Sequence, residues 1–513
     1  MLTWRTVLPL LGSAFAVALY LRKNNTNKKA KGSSRDDNKC SVKKEDIISL
    51  RNKYFSKSVS ISYANSNPLM IVKGDGARLI DETGTSYLDT RNNVAHCGHG
   101  HPRIVKAVQQ QVAQLNTNTR YLHPNVAVLA QRLANLLPDP LEVVFFVNSG
   151  SEANDLALRL SRAYTKSKNT IVVEGSYHGH TLAVLEVSPY KYEKGKEFNL
   201  TKPTESANFA SPGKHIWKVP APCTYRGPYR DPKTAGKEYA KTVEEACHFY
   251  QHTCKDKVGA FIVEGGMSIP GVILPPSGYL ARCVKAVRNA GGVYIADEVQ
   301  TGLGRFGTSF WAFQHCHPPG FGVDNSEFEP VVPDIVTIGK PFGNGMPLAA
   351  LVTTRSIASA FEDTGVEYFN TFGGNPVSAA AGLAVLDTIE QEQLQKRARD
   401  VGGYLKQRFV DLMGHLDIIG DVRGSGFFLG VELVRNRNTL EAATEETSFV
   451  CSVLKESYKI LTSIDGKFEN VLIIKPPMVF SLDDCDYFVQ SFEGAIGSLK
   501  NAGDIRSLAK TPT

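Results

Sequence analysis

Two short apolar runs that each lead to a charged residue constrain the fold of this chain more than any other feature. The first, residues 293–296, ends at Asp297, and Gln300 follows shortly after it. The second, residues 335–338, is followed by Lys340 after a single glycine. Apolar runs of this kind are typical of strands buried on both faces, as in a parallel sheet. An acid and a lysine at the ends of two such strands predict a functional site at one edge of that sheet.

An acid and a lysine in these positions suit the chemistry of pyridoxal phosphate. The amine of Lys340 can form a Schiff base with the aldehyde of this cofactor, and the carboxylate of Asp297 can keep the pyridine nitrogen protonated. A protonated ring withdraws electrons and acidifies the substrate C–H bond beside the nitrogen, and the released lysine can take that proton. The alternative is that Asp297 is an ordinary strand end and that Lys340 is a surface lysine.

The segments around both residues, IADEVQTGLGRFG and PDIVTIGKPFGNG, resemble the signature of the class III aminotransferases, which are pyridoxal-phosphate enzymes of fold type I. The resemblance extends from about Asn67 to about Lys500. It implies an α/β fold in which a large domain has a mostly parallel sheet flanked by helices. A smaller α/β domain is then built from both chain ends. The strand runs alternate with helical runs such as residues 279–289, which also predicts a mostly parallel sheet.

The resemblance also predicts domain boundaries. They are a targeting or anchor leader with a linker at residues 1–45, small-domain segments at 46–105 and 376–503, the large cofactor-binding domain at 106–375, and a tail at 504–513. The leader and the tail lie outside the predicted core of the enzyme.

A turn of small residues is predicted to hold the phosphate of the cofactor. Residues 143–147 (VVFFV) have the pattern of a buried strand, and a helical pattern, EANDLALRLSRAY, begins soon afterwards. Gly150 and Ser151 lie between the two. A strand, a turn and a helix start bring free backbone N–H groups and the positive helix end to one point, where a phosphate dianion can bind.

The resemblance implies further contacts with the cofactor. Tyr177 would stack on the pyridine face, His178 would contact the cofactor or support its neighbours, and Glu264 would lie near the ring hydroxyl. Gln300 completes the predicted set of cofactor-binding residues on this chain. Thr371 would reach across a dimer interface to the phosphate in the partner subunit, so the expected active unit is a homodimer or tetramer with shared sites.

Three arginines are candidates for binding the substrate. Arg423, in DVRGSGFFLGVEL, either satisfies backbone carbonyls in a turn or clamps a substrate carboxylate, as the resemblance implies. Arg226 and Arg230 flank a Gly-Pro turn in TYRGPYR and could present two guanidinium groups to one phosphate. Alternatively, both belong to a solvated loop.

The expected reaction depends on the subgroup of the family. The segments NNVAHCGHGHP, NTNTRYLH, TYRGPYR and VEYFNTFGGNPVS resemble the phospho-lyases that act on phosphoethanolamine or 5-phosphohydroxylysine. We therefore expect elimination of phosphate and ammonia from an O-phosphorylated amine. The alanine–glyoxylate aminotransferases share many of these residues, so transamination is the alternative. A catalytically inactive, membrane-tethered scaffold is a third hypothesis, against which the presence of Asp297 and Lys340 argues.

Histidines cluster at two places, but no metal site is expected at either. His96, His99 and His101 lie in a glycine-rich loop that the resemblance places beside the cofactor, where a structural or substrate-lining role is favoured over metal binding. His248 and His252 would share one face of a helix, but no second ligand pair with zinc spacing lies near them in the sequence.

The positive charge is concentrated near the N-terminus. Residues 1–57 contain thirteen basic and four acidic residues, a net charge of +9, whereas the whole chain carries +7, which leaves −2 for the remainder. Nucleic-acid-binding proteins concentrate basic residues on the folded domain, so a nearly neutral body argues against that function.

An apolar run at residues 7–21, flanked by basic residues, is typical of a targeting segment. Its fifteen residues would span about 22 Å as a helix, less than the roughly 30 Å of a bilayer core. A mitochondrial presequence, a short membrane anchor with the body facing the cytosol, and a secretory signal are the alternatives. The nine cysteines form no CxxC pair and argue against secretion. We favour mitochondrial targeting, and membrane contact is expected only through this run.

Overall fold

The computed structural model describes residues 43–63, 67–194, 215–315 and 331–499. These residues divide into two compact units between Phe55 and Ser56. The apolar run at residues 7–21, predicted to be a targeting segment, lies outside the described residues. Within the described ranges, no helix is both long and apolar enough to cross a membrane.

The described part of the first unit consists mainly of helix α1 (Lys44–Tyr54). Its first turn carries Glu45 and Asp46, and its last turn carries Arg51 and Lys53. Acids near the N-terminus and bases near the C-terminus interact favourably with the helix dipole. Charge placement therefore stabilises this short helix.

The described part of the second unit contains strands and helices in alternation. The strands are β1 (Ile71–Asp75), β2 (Arg78–Asp81), β3 (Ser86–Asp89), β4 (Val143–Val147), β5 (Thr170–Val173), β6 (Ile216–Val219), β7 (Ala260–Glu264), β8 (Val293–Asp297), β9 (Ile335–Ile338), β10 (Ala349–Thr353), β11 (Ile419–Ser425), β12 (Phe428–Asn436), β13 (Glu441–Ala442), β14 (Ile460–Leu461), β15 (Ser463–Asp465) and β16 (Val471–Ile474). The helices are α2 (Pro102–Val112), α3 (Pro124–Asn135), α4 (Gly150–Thr165), α5 (Leu182–Glu186), α6 (Pro189–Lys194), α7 (Ala235–His248), α8 (Tyr279–Asn289), α9 (Ala312–His315), α10 (Arg355–Glu362), α11 (Pro376–Gln391), α12 (Leu394–Leu412), α13 (Thr444–Tyr458) and α14 (Leu482–Leu499). A π-helical turn (Phe249–Thr253) follows α7, and a 3-10 helix (Lys340–Gly343) follows β9.

A seven-stranded sheet in the order β4-β10-β9-β8-β7-β5-β6 forms the centre of the second unit. Strand β10 pairs with both of its neighbours in antiparallel fashion, whereas the pairs from β9 to β6 are parallel. The prediction of a mostly parallel sheet is therefore confirmed. The register places Glu264 opposite Asp297, and Asp297 opposite Thr337. The two acids thus end neighbouring strands at the same edge of the sheet.

The central sheet is buried on both faces, as its apolar strands predict. Val293 and Ile295 of β8 belong to the cluster that includes the core side of α4, whereas Tyr294 and Ala296 belong to the cluster that includes α8. Successive side chains of a strand point to opposite faces, which explains this division. Each fully buried apolar side chain of this size contributes about 1.5–3 kcal/mol through burial.

Two smaller sheets lie beyond the central one in the same unit. The first has the order β1-β2-β3-β14, and β14 pairs with β3 in parallel. This sheet therefore joins strands that precede the central sheet in the sequence to a strand that follows it. The second is antiparallel, with the order β11-β12-β16-β15 and β13 paired to β12. The α/β class is confirmed, and the residue boundaries of the two domains remain a prediction.

Candidate active site

A cavity of about 440 Å³ opens at the carboxyl ends of the central strands. Its walls include the last residues of β7 and β8 and the lysine that follows β9. Eight of the residues predicted from the sequence line it, namely Gly150, Ser151, Tyr177, His178, Glu264, Asp297, Gln300 and Lys340. Parallel strands end at one edge of a sheet, and this geometry brings residues nearly two hundred positions apart into one cavity.

Asp297 is buried and held by three hydrogen bonds. Its Oδ2 lies 2.7 Å from Nδ1 of His178 and accepts a hydrogen bond from Nδ2 of Asn154 at 2.9 Å. Its Oδ1 accepts from the backbone N–H of Val299 at 3.0 Å. Asn154 is oriented in turn by the hydroxyl of Thr337, which donates to its Oδ1 at 2.7 Å. The carboxylate is therefore fixed in position, as a buried charge requires.

His178 presents an unpaired nitrogen in the same place. Its backbone N–H donates to Oγ of Ser188 at 3.0 Å, and its Nδ1 contacts Asp297. Its Nε2 is buried and has no hydrogen-bond partner within the described residues. Buried polar atoms are seldom left without a partner, so this nitrogen marks a place for a polar group of a bound molecule.

Glu264 carries a second buried atom of this kind. Its Oε2 accepts a hydrogen bond from the backbone N–H of Ser268 at 3.3 Å, whereas its Oε1 is buried with no partner in the described part of the chain. Burial, followed by the nearby carboxylate of Asp297, raises the pKa of Glu264. A proton on this carboxyl would be held more readily than on an exposed glutamate.

Lys340 is the first residue of the 3-10 helix that follows β9. The next residue, Pro341, suits this position because the first turn of a helix tolerates a missing N–H group. Burial lowers the pKa of Lys340, although Asp297 and Glu264 act in the opposite direction. A lowered pKa increases the neutral fraction of the amine, which is the form that attacks a carbonyl.

The first turn of helix α4 forms another wall of the cavity. The predicted strand and helix are confirmed, with β4 ending at Val147 and α4 beginning at Gly150. A Cβ atom on Gly150 would lie 2.6 Å from Cγ1 of Val299, so the close packing requires glycine. Oγ of Ser151 accepts the backbone N–H of His180 at 3.1 Å. The positive end of a sixteen-residue helix thus faces a cavity that can hold an anion.

Tyr177 lies on the cavity wall beside other aromatic residues. Its ring meets the ring of Tyr190 edge-on at 6.3 Å, and Nζ of Lys191 lies 5.6 Å from its centroid. Burial raises the pKa of Tyr177, followed by the charge of Asp297. The hydroxyl group of Tyr177 therefore keeps its proton, and the neighbouring side chains partly restrain the ring, as suits a stacking surface.

A second cavity, of about 430 Å³, contains Arg226 and Arg423. Nη1 of Arg423 lies 2.7 Å from Oε2 of Glu432 and donates to Oδ2 of Asp421 at 2.8 Å. Its Nε donates to the carbonyl oxygen of Gly271 at 2.8 Å. Arg423 therefore satisfies a backbone carbonyl, as one interpretation of the sequence holds, and at the same time lines a cavity.

Arg226 reaches the same glutamate from the other side. Its Nε forms an ion pair with Oε1 of Glu432, and its Nη1 donates to the carbonyl oxygen of Leu440 at 2.7 Å. Its guanidinium stacks on the ring of Phe468 at 4.9 Å. Arg230 is exposed, and its Nε donates to the carbonyl oxygen of Gly227 at 3.1 Å. The structure thus brings Arg226 together with Arg423 across Glu432, and it does not bring Arg230 to either cavity.

One loop, and one strand together with the chain that follows it, contribute to both cavities. The loop after β5 provides Gly175 to the second cavity and Tyr177 to the first, and the chain after β7 provides Ile269 to the second. Glu264, at the end of β7, lines the first. Lining residues of the two cavities are therefore close neighbours in the sequence.

Thr371 is exposed and does not line the cavity of its own chain. Its neighbour Phe372 is 66% exposed, and Phe369 is partly covered by the guanidinium of Arg120 at 4.3 Å. This segment therefore presents apolar rings at the surface of the single chain, and contact of Thr371 with a partner subunit remains a prediction.

The three histidines of the glycine-rich loop have separate partners. Nε2 of His96 lies 2.8 Å from the carbonyl oxygen of Leu303, and His99 pairs with Asp89 at 2.8 Å. The third, in the same loop, pairs with a glutamate at 3.0 Å. Each ring is used in a different contact, which agrees with the structural role that the sequence favours for them.

Three buried polar residues near the cavities were missed by sequence reasoning. Lys475 follows the apolar run VLII, which is the signal that identified Asp297 and Lys340, so the same criterion applied to the C-terminal half would have found it. Glu432 lies within the apolar run FFLGVELV, where a single acid is a different signal. Asn154 lies in the polar start of a helix and carries no comparable signal.

Comparisons with known proteins agree with this geometry. Residues 61–496 match the family described as Aminotransferase class-III. A Drosophila melanogaster protein named alanine–glyoxylate aminotransferase 2-like is 43% identical, over 88% of this chain and 87% of its own. A Caenorhabditis elegans protein named ethanolamine-phosphate phospho-lyase homolog 1 is 38% identical, over 85% of this chain and 90% of its own. The human protein named alanine–glyoxylate aminotransferase 2, mitochondrial, is 33% identical, over 88% of this chain and 86% of its own.

Solved structures with the same fold include both types of enzyme. A phospholyase from Arthrobacter in complex with phosphoethanolamine has a TM-score of 0.77 and 33% identity, covering 88% of this chain and 99% of its own. An amine transaminase from an uncultivated Pseudomonas species in its PLP-bound form has a TM-score of 0.74 and 26% identity, covering 86% of this chain and 98% of its own.

Proposed function

The chain belongs to the class III aminotransferase family, and we propose that it uses pyridoxal phosphate to remove phosphate and ammonia from an O-phosphorylated amine. Phosphoethanolamine and 5-phosphohydroxylysine are the proposed substrates. With water, such a reaction yields inorganic phosphate, ammonia and an aldehyde. The observation that carries the proposal is the pair of arginines, Arg226 and Arg423, that meet at Glu432 in the second cavity, whose lining includes the loop that also supplies Tyr177 to the cavity of Lys340.

The first cavity fits pyridoxal phosphate. The positive end of helix α4 at Gly150 suits its phosphate group, and Asp297 suits a protonated ring nitrogen. The unpaired Nε2 of His178 and Oε1 of Glu264 offer polar contacts to a bound molecule. When bound, the cofactor supplies an electron sink that makes the substrate C–H bond beside the nitrogen acidic.

The residues of this chain then have separate tasks. Lys340 takes the proton from the substrate carbon, a task for which a buried amine of lowered pKa is suited. Asp297 holds the ring nitrogen protonated, and Tyr177 restrains the position of the ring. The remaining requirement is to stabilise phosphate as it departs, because charge develops on the leaving group.

The arginines of the second cavity meet that requirement. Guanidinium groups bind phosphate oxygens in pairs, and two of them lie on one cavity wall. Nη2 of Arg226 is buried and has no partner within the described residues, so it has a donor to offer. The phospho-lyases among the similar proteins support this interpretation.

Transamination is the second candidate, because the Drosophila relative is named as an aminotransferase. In that reaction Arg423 would bind a substrate carboxylate, and no phosphate would leave. An inactive scaffold is disfavoured, since Asp297 and Lys340 share one cavity with the residues suited to the cofactor.

The test compares the two reactions on the same purified protein loaded with pyridoxal phosphate. Phosphoethanolamine or 5-phosphohydroxylysine is supplied alone, and inorganic phosphate is measured; alanine with glyoxylate is supplied separately, and pyruvate is measured. We expect phosphate release without any keto acid, and no release by the Lys340→Ala variant. Pyruvate formation without phosphate release would assign the enzyme to the transaminases.

A homodimer or tetramer with shared sites is part of the proposal, because Thr371 lies outside the cavity of its own chain. Light scattering measures the mass in solution. Mixing Thr371→Ala subunits with Lys340→Ala subunits should restore part of the activity if each site uses Thr371 of the partner subunit.

We also propose a mitochondrial location, which the name of the human relative supports. Residues 1–45 fused to a fluorescent protein provide the test. Mitochondrial fluorescence is expected, whereas a reticular pattern of membranes would favour the anchor that faces the cytosol.

A further inference from the structure

Lys475 is a buried lysine that the proposed reaction does not use. It follows strand β16, and 6% of its surface is exposed. Its Nζ donates to Oγ of Ser268 at 2.6 Å and to Oε1 of Gln300 at 2.9 Å. Its backbone N–H donates to the carbonyl oxygen of Thr90 at 2.7 Å. Both ends of the residue are therefore held in place.

These contacts decide which end of the Gln300 amide faces the cavity. An ammonium group has donors only, so the atom of Gln300 that meets Lys475 must be the carbonyl oxygen. That oxygen also accepts a hydrogen bond from Nδ2 of Asn93 at 3.3 Å. The NH₂ group is left without a partner among the described residues, and Gln300 lines the first cavity.

The bond from Lys475 is the stronger of the two that orient the amide. It is the shorter of the two and is charge-assisted when Lys475 is protonated, whereas the bond from Asn93 is neutral and longer. Charge-assisted hydrogen bonds are about twice as strong as neutral ones. If Lys475 lost its charge or its donors, the amide of Gln300 could rotate and turn its oxygen towards the cavity.

Lys475 also reaches a second lining residue of the cavity, Glu264, through Ser268. Ser268 accepts from Lys475 with its hydroxyl and donates its backbone N–H to Oε2 of Glu264 at 3.3 Å. Burial lowers the pKa of Lys475, and the charge of Lys340 lowers it further, whereas Asp465 and Glu264 raise it. One buried lysine thus contacts Gln300 directly and Glu264 through one residue.

We propose that Lys475 is a positioning residue that makes Gln300 a hydrogen-bond donor to the molecule in the first cavity. This inference rests on the proposed function in one respect, namely that the molecule is pyridoxal phosphate. The cofactor offers acceptor oxygens on its ring and phosphate, which a donor amide suits and an amide oxygen would repel. Lys475 itself does not line the cavity, so its effect passes through Gln300.

The experiment measures the dissociation constant of pyridoxal phosphate by titrating protein freed of cofactor and following visible absorbance. Lys475→Met keeps the apolar length of the side chain and removes every donor. We expect binding weaker by about tenfold, the size of one charge-assisted hydrogen bond. Lys475→Gln keeps an NH₂ group that can still donate to Gln300, so it should lose less. Lys237→Met, which removes an exposed lysine from α7, is the matched control and should bind as the wild type does.

A double-mutant cycle separates positioning from simple structural support. In a Gln300→Leu background, Lys475→Met should weaken binding by less than about twofold, because its effect passes through the missing amide. Equal additional weakening in both backgrounds would overturn the inference. So would wild-type affinity in a folded Lys475→Met variant, with folding followed by circular dichroism.

Two further results keep the inference testable if Lys475→Met does not fold. Gln300→Glu retains an acceptor for Lys475 but presents oxygen instead of N–H to the cavity, so its affinity should fall as far as that of Gln300→Leu. Wild-type affinity in Gln300→Glu would overturn the inference. Failure of the wild-type protein to bind the cofactor would count against the proposed function instead, which distinguishes the two.

Discussion

The two cavities have similar volumes, about 440 and 430 Å³, but their charged groups are paired to different extents. In the first, His178 and Glu264 each have a buried atom with no partner within the described residues. In the second, Glu432 already holds Arg226 on one side and Arg423 on the other, and only Nη2 of Arg226 among the atoms of these two guanidinium groups is buried without a partner in the described residues. The first cavity is prepared for a bound molecule, whereas the second is mostly satisfied by the protein itself.

This difference suggests a division of tasks, in which one cavity retains a bound molecule and the other exchanges it. A molecule that enters the first cavity gains hydrogen bonds that the protein alone leaves unmade, which favours tight retention of a cofactor. An anion that enters the second must compete with Glu432 for the arginines, and removing a partner from a buried pair is costly. The second cavity therefore suits a substrate that arrives and leaves.

The largest expected effect comes from the reactive group of the first cavity. Lys340→Ala should reduce turnover to less than about a thousandth of the wild-type rate, because the proton acceptor is lost. The variant should still bind pyridoxal phosphate, since the contacts at helix α4 and Asp297 remain. Single-turnover assays with equilibrium dialysis measure both quantities. A rate above that limit would remove Lys340 from the mechanism.

Asp297→Asn should reduce turnover by about a hundredfold or more, because an amide cannot hold the ring nitrogen protonated. The folded state should persist at a lower stability, since the single asparagine oxygen can still accept the backbone N–H of Val299, while the bond from Asn154 to the other oxygen is lost. The rate at saturating substrate tests the loss of turnover, and thermal unfolding of the same preparation tests whether the variant is folded. A nearly normal rate would show that the first cavity does not depend on this carboxylate.

The loop that brings Arg226 to the second cavity also carries Arg230, which does not line that cavity, so the two arginines form a matched pair. Arg226→Ala should raise KM for phosphoethanolamine by about tenfold, the effect of losing one charged hydrogen bond to a bound anion. Arg230→Ala should change KM by less than about twofold, because an exposed surface charge contributes little. Steady-state kinetics on both variants decide the point. Equal effects would show that Arg226 has no greater part in binding the phosphate than Arg230.

The smallest expected effect tests whether an anion competes with Glu432 for the two arginines. Glu432→Gln removes the negative charge between the arginines and keeps a side chain of similar shape, so anions should bind several-fold more tightly. The inhibition constant of inorganic phosphate measures this change. Stability to urea should fall at the same time, because Arg226 and Arg423 lose a charged partner. An unchanged inhibition constant would show that no anion binds between these arginines.

Much of the first cavity could be predicted from local sequence patterns. The runs before Asp297 and Lys340 are strands, and the turn at Gly150 starts a helix, as their composition indicates. The helical run at residues 279–289 is also confirmed by α8. Such patterns are readable because a buried strand needs consecutive apolar residues and a tight turn needs small ones.

The sequence by itself therefore determined the mostly parallel sheet, the edge of that sheet at which Asp297 and Lys340 meet, and the family. The tertiary structure alone decided the partners: Asn154 on Asp297, Glu432 between two arginines, and Lys475 on Gln300. These pairs join residues from different strands, loops and helices, and their hydrogen bonds form only when separate elements pack within about 3 Å of each other. Sequence spacing carries no information on that packing, since a buried polar group takes whichever partner the folded core places beside it.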